Sequence, residues 1–420
     1  MTAEIISVGT EILMGNIVNT NAAYIAEKLA MLGISNYFQT VVGDNAARLK
    51  EMLSLSLLRS DVVIVGGGLG PTEDDLTKET VAEVLGIELH LDDRAWREIV
   101  EFFNKKGMTI TDNNKKQAMV CDEKDGIVLY NPNGTAPGMI FEKNGKAVII
   151  LPGPPSEMIP MWNDQVMPYL KKKTDIAIYS KMIKLVGIGE SKLEDEIKDL
   201  IHSDNPTVAT YAKTGEVHVR VTGSGKDEAE AKMLVKPVVK ELKARYGAKI
   251  YTTDEAVSLE QAVVELLEKN DLTIATAESC TGGLLCGRII NVPGASDIIK
   301  EGIVTYSNKA KKKHLGVKKS TLSKYGAVSE QTAREMVSGV LNMTKADVAL
   351  STTGIAGPDG GTPEKPVGLV YIGCSVCGRV TVKECRFRGT REIIRNRATT
   401  EALSLLRMCI LEYYTDTKLK

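Results

Sequence analysis

Residues Leu272-Thr-Ile-Ala-Thr-Ala-Glu-Ser-Cys-Thr-Gly-Gly283 decide how this chain is read. The apolar run predicts a strand that ends in a carboxylate, Glu278, and three nucleophile-capable side chains, Ser279, Cys280 and Thr281. Two glycines then lead into Leu284–Ile290, which reads as a helix. A strand feeding a helix through such residues is the repeating unit of an α/β sheet. Its backbone N–H groups lie at the positive end of the helix dipole, where they can bind a phosphate or stabilise an oxyanion. The competing reading is an ordinary capped helix start, with Ser279 or Thr281 satisfying those groups.

Two further stretches lie downstream. Gly302-Ile-Val-Thr-Tyr-Ser-Asn-Lys-Ala-Lys311 reads as a second strand-to-helix junction, carrying a tyrosine and two lysines. Lys309 to Lys313 is a basic cluster whose plain reading is a solvated face. Ala349-Leu-Ser-Thr-Thr-Gly-Ile-Ala-Gly-Pro-Asp-Gly-Gly-Thr362 reads as a third junction, and so long a loop in a compact domain is more often functional than idle. Arg391, at the start of the last helical segment, can clamp a phosphate or form a helix-end salt bridge.

The first 170 residues alternate strands and helices, which implies a parallel α/β architecture. Strands are expected at Glu4–Val8, Tyr37–Val42 and Asp61–Val65, with helices at Asn21–Leu32, Asn45–Arg59 (capped by Asp44) and Leu76–Leu85. Asn144-Gly145 marks a hairpin between Gly138–Glu142 and Ala147–Leu151. The informative loop is Val65-Gly-Gly-Gly-Leu-Gly-Pro-Thr-Glu-Asp-Asp-Leu-Thr-Lys-Glu79. Glycines let a ligand approach the backbone, yet Glu73, Asp74 and Asp75 would repel a bare phosphate. A divalent cation bridging carboxylates and phosphate reconciles the two, and Asp44 should lie nearby at a C-terminal strand end. Acids serving only the helix dipole would explain Asp74 and Asp75 but not the glycines.

Between these regions, residues 176–251 read as a small β-α-β-β-α unit, followed by a linker near Thr252–Val257. At 420 residues two or three domains are expected, and 43% apolar with 25% charged residues is a globular balance. Fifty-three Lys and Arg against 54 Asp and Glu leave no field that would draw the chain to nucleic acid or an anionic membrane. No segment approaches a membrane-spanning length, and seven scattered cysteines argue against a disulfide framework, so a cytoplasmic location is expected. Cys374 and Cys377 form a Cys-x-x-Cys, but the run Leu369–Val376 alternates like a strand, on which positions three apart point to opposite faces. The four histidines show no metal-ligand spacing, so a hydrolytic base could be another residue.

Gly9-Thr-Glu-Ile-Leu-Met-Gly-Asn-Ile-Val-Asn-Thr-Asn21, Gly43-Asp-Asn45, the glycine loop, Asn133-Gly-Thr-Ala-Pro-Gly138 and Leu151-Pro-Gly-Pro-Pro-Ser-Glu-Met158 resemble the N-terminal domain of the CinA family. That domain is similar to molybdopterin-binding proteins and is associated with metal-dependent ADP-ribose pyrophosphatase activity. The resemblance implies nucleotide binding at Gly66, Gly67, Gly68, Gly70 and Thr77, and a divalent metal (Mg, Mn or Co) at Asp44, Asp74 and Asp75, with Asp44 and Asp75 catalytic.

Ala277-Glu-Ser-Cys-Thr-Gly-Gly283, Val304-Thr-Tyr-Ser-Asn308, Gly326-Ala-Val-Ser-Glu330, Gly354-Ile-Ala-Gly-Pro-Asp-Gly-Gly-Thr-Pro-Glu-Lys-Pro-Val-Gly368 and Gly389-Thr-Arg391 resemble the C-terminal CinA domain, the nicotinamide-mononucleotide deamidase family. The resemblance implies Ser279 as nucleophile and Lys311 as its base, with Tyr306, Thr353 and Arg391 assisting. It also implies substrate binding at Gly282, Gly283, Ser296 and Gly354, and no cofactor. Lys311 must be neutral to accept a proton, and burial near Lys309, Lys312 and Lys313 would depress its pKa. Gly389-Thr-Arg391 lacks the carboxylate of the family's usual Gly-Asp-Arg.

The middle segment resembles the KH-type domain of long CinA proteins. Gly187-Ile-Gly189 departs from the RNA-binding Gly-x-x-Gly spacing, so a spacer or dimerisation role is expected rather than nucleic-acid binding. The expected layout is a molybdopterin-binding-like α/β domain (1–172), a KH-type α+β domain (173–254) and an α/β deamidase domain (255–420). The expected protein is a homodimeric hydrolase that recycles pyridine nucleotides, acting on ADP-ribose and nicotinamide mononucleotide. A molybdopterin-binding or adenylyl-transferring protein is one alternative, and a non-enzymatic ligand sensor linked to competence or DNA damage is another.

Overall fold

The computed structural model describes residues 1–174 and 176–418. They form two compact units, one of residues 1–179 with 224–231, the other of 180–223 with 232–420.

The first unit is built on a six-stranded sheet. Its strands are β1 (Thr2–Val8), β2 (Ser35–Val42), β3 (Val62–Gly66), β6 (Gly126–Leu129), β7 (Gly138–Lys143) and β8 (Lys146–Leu151), in the order β2-β1-β3-β8-β7-β6. A separate ribbon pairs β4 (Leu89–Leu91) with β5 (Met119–Cys121). Strands β1, β3 and β8 are almost continuously apolar because both faces are covered. Ile5, Ile64 and Ile149 pack on Ile25 and Leu29 of the helix Thr20–Met31, while Ile6, Val63 and Ile150 pack on Leu49 and Leu53 of Ala46–Arg59.

Two expectations need correction here. The sheet is mixed: β2, β1, β3 and β8 run parallel, but β7 runs antiparallel to both of its neighbours, β8 and β6. The two-residue turn at Asn144 and Gly145, with φ of 52° and 76°, can only return the chain alongside itself. The helix Ala46–Arg59 is capped by Asn45, whose side chain accepts from the Arg48 N–H, and not by Asp44.

The second unit holds two sheets. Strands β9 (Ala177–Val186), β10 (Thr207–Lys213), β11 (Glu216–Gly225) and β12 (Ile250–Thr252) line up as β10-β11-β9-β12. The expected helix Ser191–Ile201 is broken at Ile197 into Glu190–Glu196 and Lys198–Ile201. Strand β12 was not expected, since three residues carry too little periodicity to show.

The other sheet comprises β13 (Ile274–Glu278), β14 (Ile299–Val304), β15 (Val348–Gly354), β16 (Leu369–Val376) and β17 (Arg379–Arg386), ordered β14-β13-β15-β16-β17. The first three are parallel, and β16 runs antiparallel to both of its neighbours, β15 and β17. Ala275, Ala277 and Ala349 face the helix Glu330–Thr344. Ile274, Leu350 and Ile372 face the helices Leu259–Lys269, Leu284–Ile290 and Arg391–Lys418. This core also takes in Val186 and Tyr251, so packing is continuous across residue 254. The third junction, Ala349–Thr362, joins strand to strand and does not open a helix, because the chain reverses into antiparallel β16.

Candidate functional site

Parallel pairing brings the C-terminal ends of β13, β14 and β15 side by side, with Glu278 opposite Val304 and Thr352. The Ser279 N–H donates to Thr352 O at 3.0 Å and the Thr305 N–H to Glu278 O at 2.8 Å, fixing the chain as it leaves the sheet. Ser307 caps the helix Asn308–Leu315, and one turn on Lys311 is buried, with 1% of its surface exposed. Its Nζ reaches back to Ser279 Oγ at 2.7 Å, Thr305 O at 2.7 Å and Tyr306 O at 3.4 Å.

Burial lowers the Lys311 pKa to about 8. Lys309, Lys312 and Lys313 are exposed and are not the cause, which corrects the expected role of those neighbours. A neutral Lys311 would accept the proton of the serine hydroxyl it touches. The alternative groups are poorly placed for this work. His314 is exposed, and burial pushes the Cys280 thiol up to about 12, far from a reactive thiolate.

The helix Leu284–Ile290 is not open at its start, as the sequence had suggested. Glu278 is buried and accepts from the N–H groups of Gly283 (3.0 Å), Leu285 (3.0 Å) and Cys286 (2.8 Å). The cap is therefore neither Ser279 nor Thr281, and no phosphate is needed there. Thr281 Oγ1 instead meets Thr352 Oγ1 at 2.6 Å. The N–H groups of Cys280 and Thr281, beside the nucleophile, donate to no group among the described residues. That is where an oxyanion would require donors.

The remaining expected residues divide. Tyr306 is 63% exposed, and its hydroxyl accepts from Arg391 Nη2 at 3.2 Å, while Arg391 Nη1 donates to Gly357 O at 2.8 Å. Gly282 and Gly283 take φ of 62° and 92°, which favour glycine. Thr353 is buried and donates to Ala327 O at 2.7 Å, so it secures a neighbouring loop and does not touch the Ser–Lys pair. Gly354 lets β16 pack closely, since a Cβ there would meet Leu369 O at 2.7 Å. Ser296 is not brought to this cluster. It sits in the turn before β14, at the opposite end of the sheet from Ser279, because β13 and β14 run parallel. Arg395 was missed: its Nη2 donates to Thr281 O at 2.7 Å, and its four-residue spacing from Arg391 was the available signal.

In the first unit, a cavity of about 470 Å³ is lined by Gly66, Gly67, Gly68, Asp44, Asp74, Asp75 and the turn Gly153–Pro155. A Cβ on Gly67 would lie 2.3 Å from Val8 O, and one on Gly68 2.3 Å from Thr77 Oγ1. Gly70 abuts the Asp75 carboxylate in the same way. Thr77 is fully buried and its hydroxyl has no partner among the described residues. Asp44 accepts from the Thr10 N–H at 2.8 Å, and Asp75 accepts from the Thr72 N–H at 3.0 Å. A hydrogen bond from Thr72 holds the Asp74 carboxyl below the usual range.

These carboxylates line one cavity, but no three His, Cys, Asp or Glu side chains converge to hold a metal ion among the described residues. Carboxylate oxygens are the donor type a hard divalent cation takes, and here they would supply only part of its coordination shell.

Residues 4–172 match the family described as "Probable molybdopterin binding domain", residues 180–252 the CinA KH domain of damage-inducible proteins, and residues 256–410 the CinA C-terminal domain. The combination defines a three-domain α/β protein with a molybdopterin-binding-like first domain. Proteins named as competence-damage inducible from Clostridium novyi and Clostridium tetani are 51% and 53% identical over 408 residues, covering 97% of this chain and 98% and 99% of theirs. A solved structure of the competence/damage inducible protein CihA from Agrobacterium tumefaciens is 41% identical, covers 36% of this chain and 93% of its own, and has a TM-score of 0.35. The chain belongs to the CinA family. Among the described residues no helix is long and apolar enough to cross a membrane.

Proposed function

We propose that the second unit hydrolyses the carboxamide of nicotinamide mononucleotide, giving nicotinate mononucleotide and ammonia. The observation that carries this reading is the 2.7 Å contact between Lys311 Nζ and Ser279 Oγ, with the lysine buried. Neutral Lys311 takes the Ser279 proton as Oγ attacks the carboxamide carbon. The oxyanion forms beside the N–H groups of Cys280 and Thr281. Collapse expels ammonia with the proton held on Lys311, leaving an acyl-serine. Lys311 then deprotonates water, which attacks the ester and returns Ser279.

The first unit is assigned a second hydrolysis, ADP-ribose with water to AMP and ribose 5-phosphate. The glycine-lined cavity and its three carboxylates support it. A divalent ion (Mg, Mn or Co) would neutralise charge on the diphosphate, held there by Asp44 and Asp74. Thr77 offers its hydroxyl, and Gly66–Gly68 their backbone, to phosphate oxygens. The seven cysteines are all free thiols, which supports a reducing, cytoplasmic setting.

The test is the purified chain incubated with each substrate, with and without EDTA. AMP formation should vanish with chelator while ammonia release persists. Tight binding of either nucleotide by calorimetry with no product from it would replace that activity by ligand sensing.

A further inference from the structure

We propose that Cys374 and Cys409 are a reversible modification site, a thiol pair that hydrogen peroxide converts to a disulfide stapling the terminal helix Arg391–Lys418 to β16. The inference is independent of the amidase reading.

The Cys-x-x-Cys of the sequence is not the pair. Cys374 is fully buried on β16, whereas Cys377 lies past the strand end, exposed, in a turn with φ of 46°. The terminal helix covers Cys374 instead. Ala398, Ala402 and Cys409 recur at helical spacing, and this face packs in one core with Val370, Ile372 and Cys374 of β16. The two alanines are small, which lets the helix lie close to the strand. Across the antiparallel ladder Cys374 stands opposite Thr381 of β17, and both side chains donate hydrogen bonds to the Cys409 sulfur. One sulfur is therefore seated directly on the other.

The two thiols are unequal in a way that suits the reaction. Cys409 is only partly buried, and the bonds it accepts from Cys374 and Thr381 lower its pKa. Burial instead pushes Cys121 up to about 11 and Cys280 and Cys385 to about 12. Cys409 is thus the attacking thiolate and Cys374 the resolving thiol. Attack on peroxide forms an S–O bond and breaks the O–O bond, and the departing hydroxide takes up a proton as water. The Cys374 sulfur then attacks the sulfenic acid on Cys409. The S–S bond forms, the S–O bond breaks, and the second oxygen leaves as water with the Cys374 proton. Two thiols lose two electrons in all, and one peroxide is reduced to two waters. A small-molecule thiol restores both cysteines by exchange. Cys409 lies about five turns along the helix from Arg391, so the bond clamps the helix without entering the Ser–Lys site.

The test treats the reduced full-length chain with hydrogen peroxide, blocks remaining thiols, digests without reductant and identifies linked peptides by mass spectrometry. A peptide pair joining Cys374 to Cys409, lighter by two hydrogens than its parts, is the expected result. The oxidised chain should melt on the order of 5–10 °C higher, and dithiothreitol should reverse both changes. Cys374→Ser should leave a sulfenic acid on Cys409 that dimedone traps, and Cys377→Ser should form the disulfide as before. No linked peptide from the wild type, or one that contains Cys377, overturns the proposal. So does a Cys374–Cys409 link that leaves the melting temperature unchanged or lower, because that bond would belong to an opened chain.

Discussion

Lys78 in the first unit and Lys311 in the second are almost completely buried, and the two differ in what the ammonium meets. Lys78, 2% exposed, follows the glycine loop and donates to Gln117 O at 2.7 Å. Lys311, 1% exposed, meets a serine hydroxyl at the same distance. Burial lowers both to about 8. A depressed pKa therefore reports burial, and the partner decides what it is good for. A carbonyl has no proton to give, whereas a hydroxyl that loses one becomes a nucleophile.

The sharpest way to break this contrast is to delete each lysine. Lys311→Ala should cost deamidation about as much as Ser279→Ala, roughly 10²–10⁴-fold, and the double variant should be no worse, because nucleophile and base act as a unit. Lys78→Met should leave ammonia release unchanged and alter only the melting temperature. His314→Ala and Cys280→Ser should also stay active. A dead Cys280→Ser beside a live Ser279→Ala would move the nucleophile by one residue.

The first unit allows a complementary test. Asp44→Asn should reduce AMP formation by about 10²-fold, the scale of losing one positioned charge, while deamidation continues. Asp44 is a cleaner choice than Asp75, which holds the Thr72 turn and whose loss would disturb the loop itself. Retained AMP formation in Asp44→Asn with EDTA present would end the metal assignment.

A smaller effect concerns independence. Residues 255–420 alone would lack Val186 and Tyr251 from their core, and the carbonyls of Glu255 and Val257 would lose the Lys184 ammonium at 2.8 Å. A fragment of residues 180–420 should therefore melt on the order of 10 °C above one of 255–420. Equal melting temperatures would show that the middle module is energetically separate.

Much of this arrangement was legible in the sequence, for identifiable reasons. Leu284–Ile290 and Leu369–Val376 were bounded correctly, because glycines and a tight turn punctuate their ends. Ser279 and Lys311 could be named, but their approach depends on two parallel strands ending level, which spacing does not encode. Glu278 looked like one of several polar residues in a loop. Its role as a buried cap emerges only when the helix turns back over the strand end. Ser296 shows the reverse failure: near Ser279 in sequence, it is carried to the far end of the sheet by the helix between them.

The claim that Lys311 is the base is tested most directly by the pH dependence of kcat/KM for ammonia release. The base must be neutral to act, so the rate should be low where Lys311 is protonated, rise with pH, and level off above a midpoint near its pKa of about 8. Lys311→Ala should lose that transition along with the activity. A midpoint near the ordinary histidine value of about 6.5, or a transition that survives in Lys311→Ala, would contradict the account.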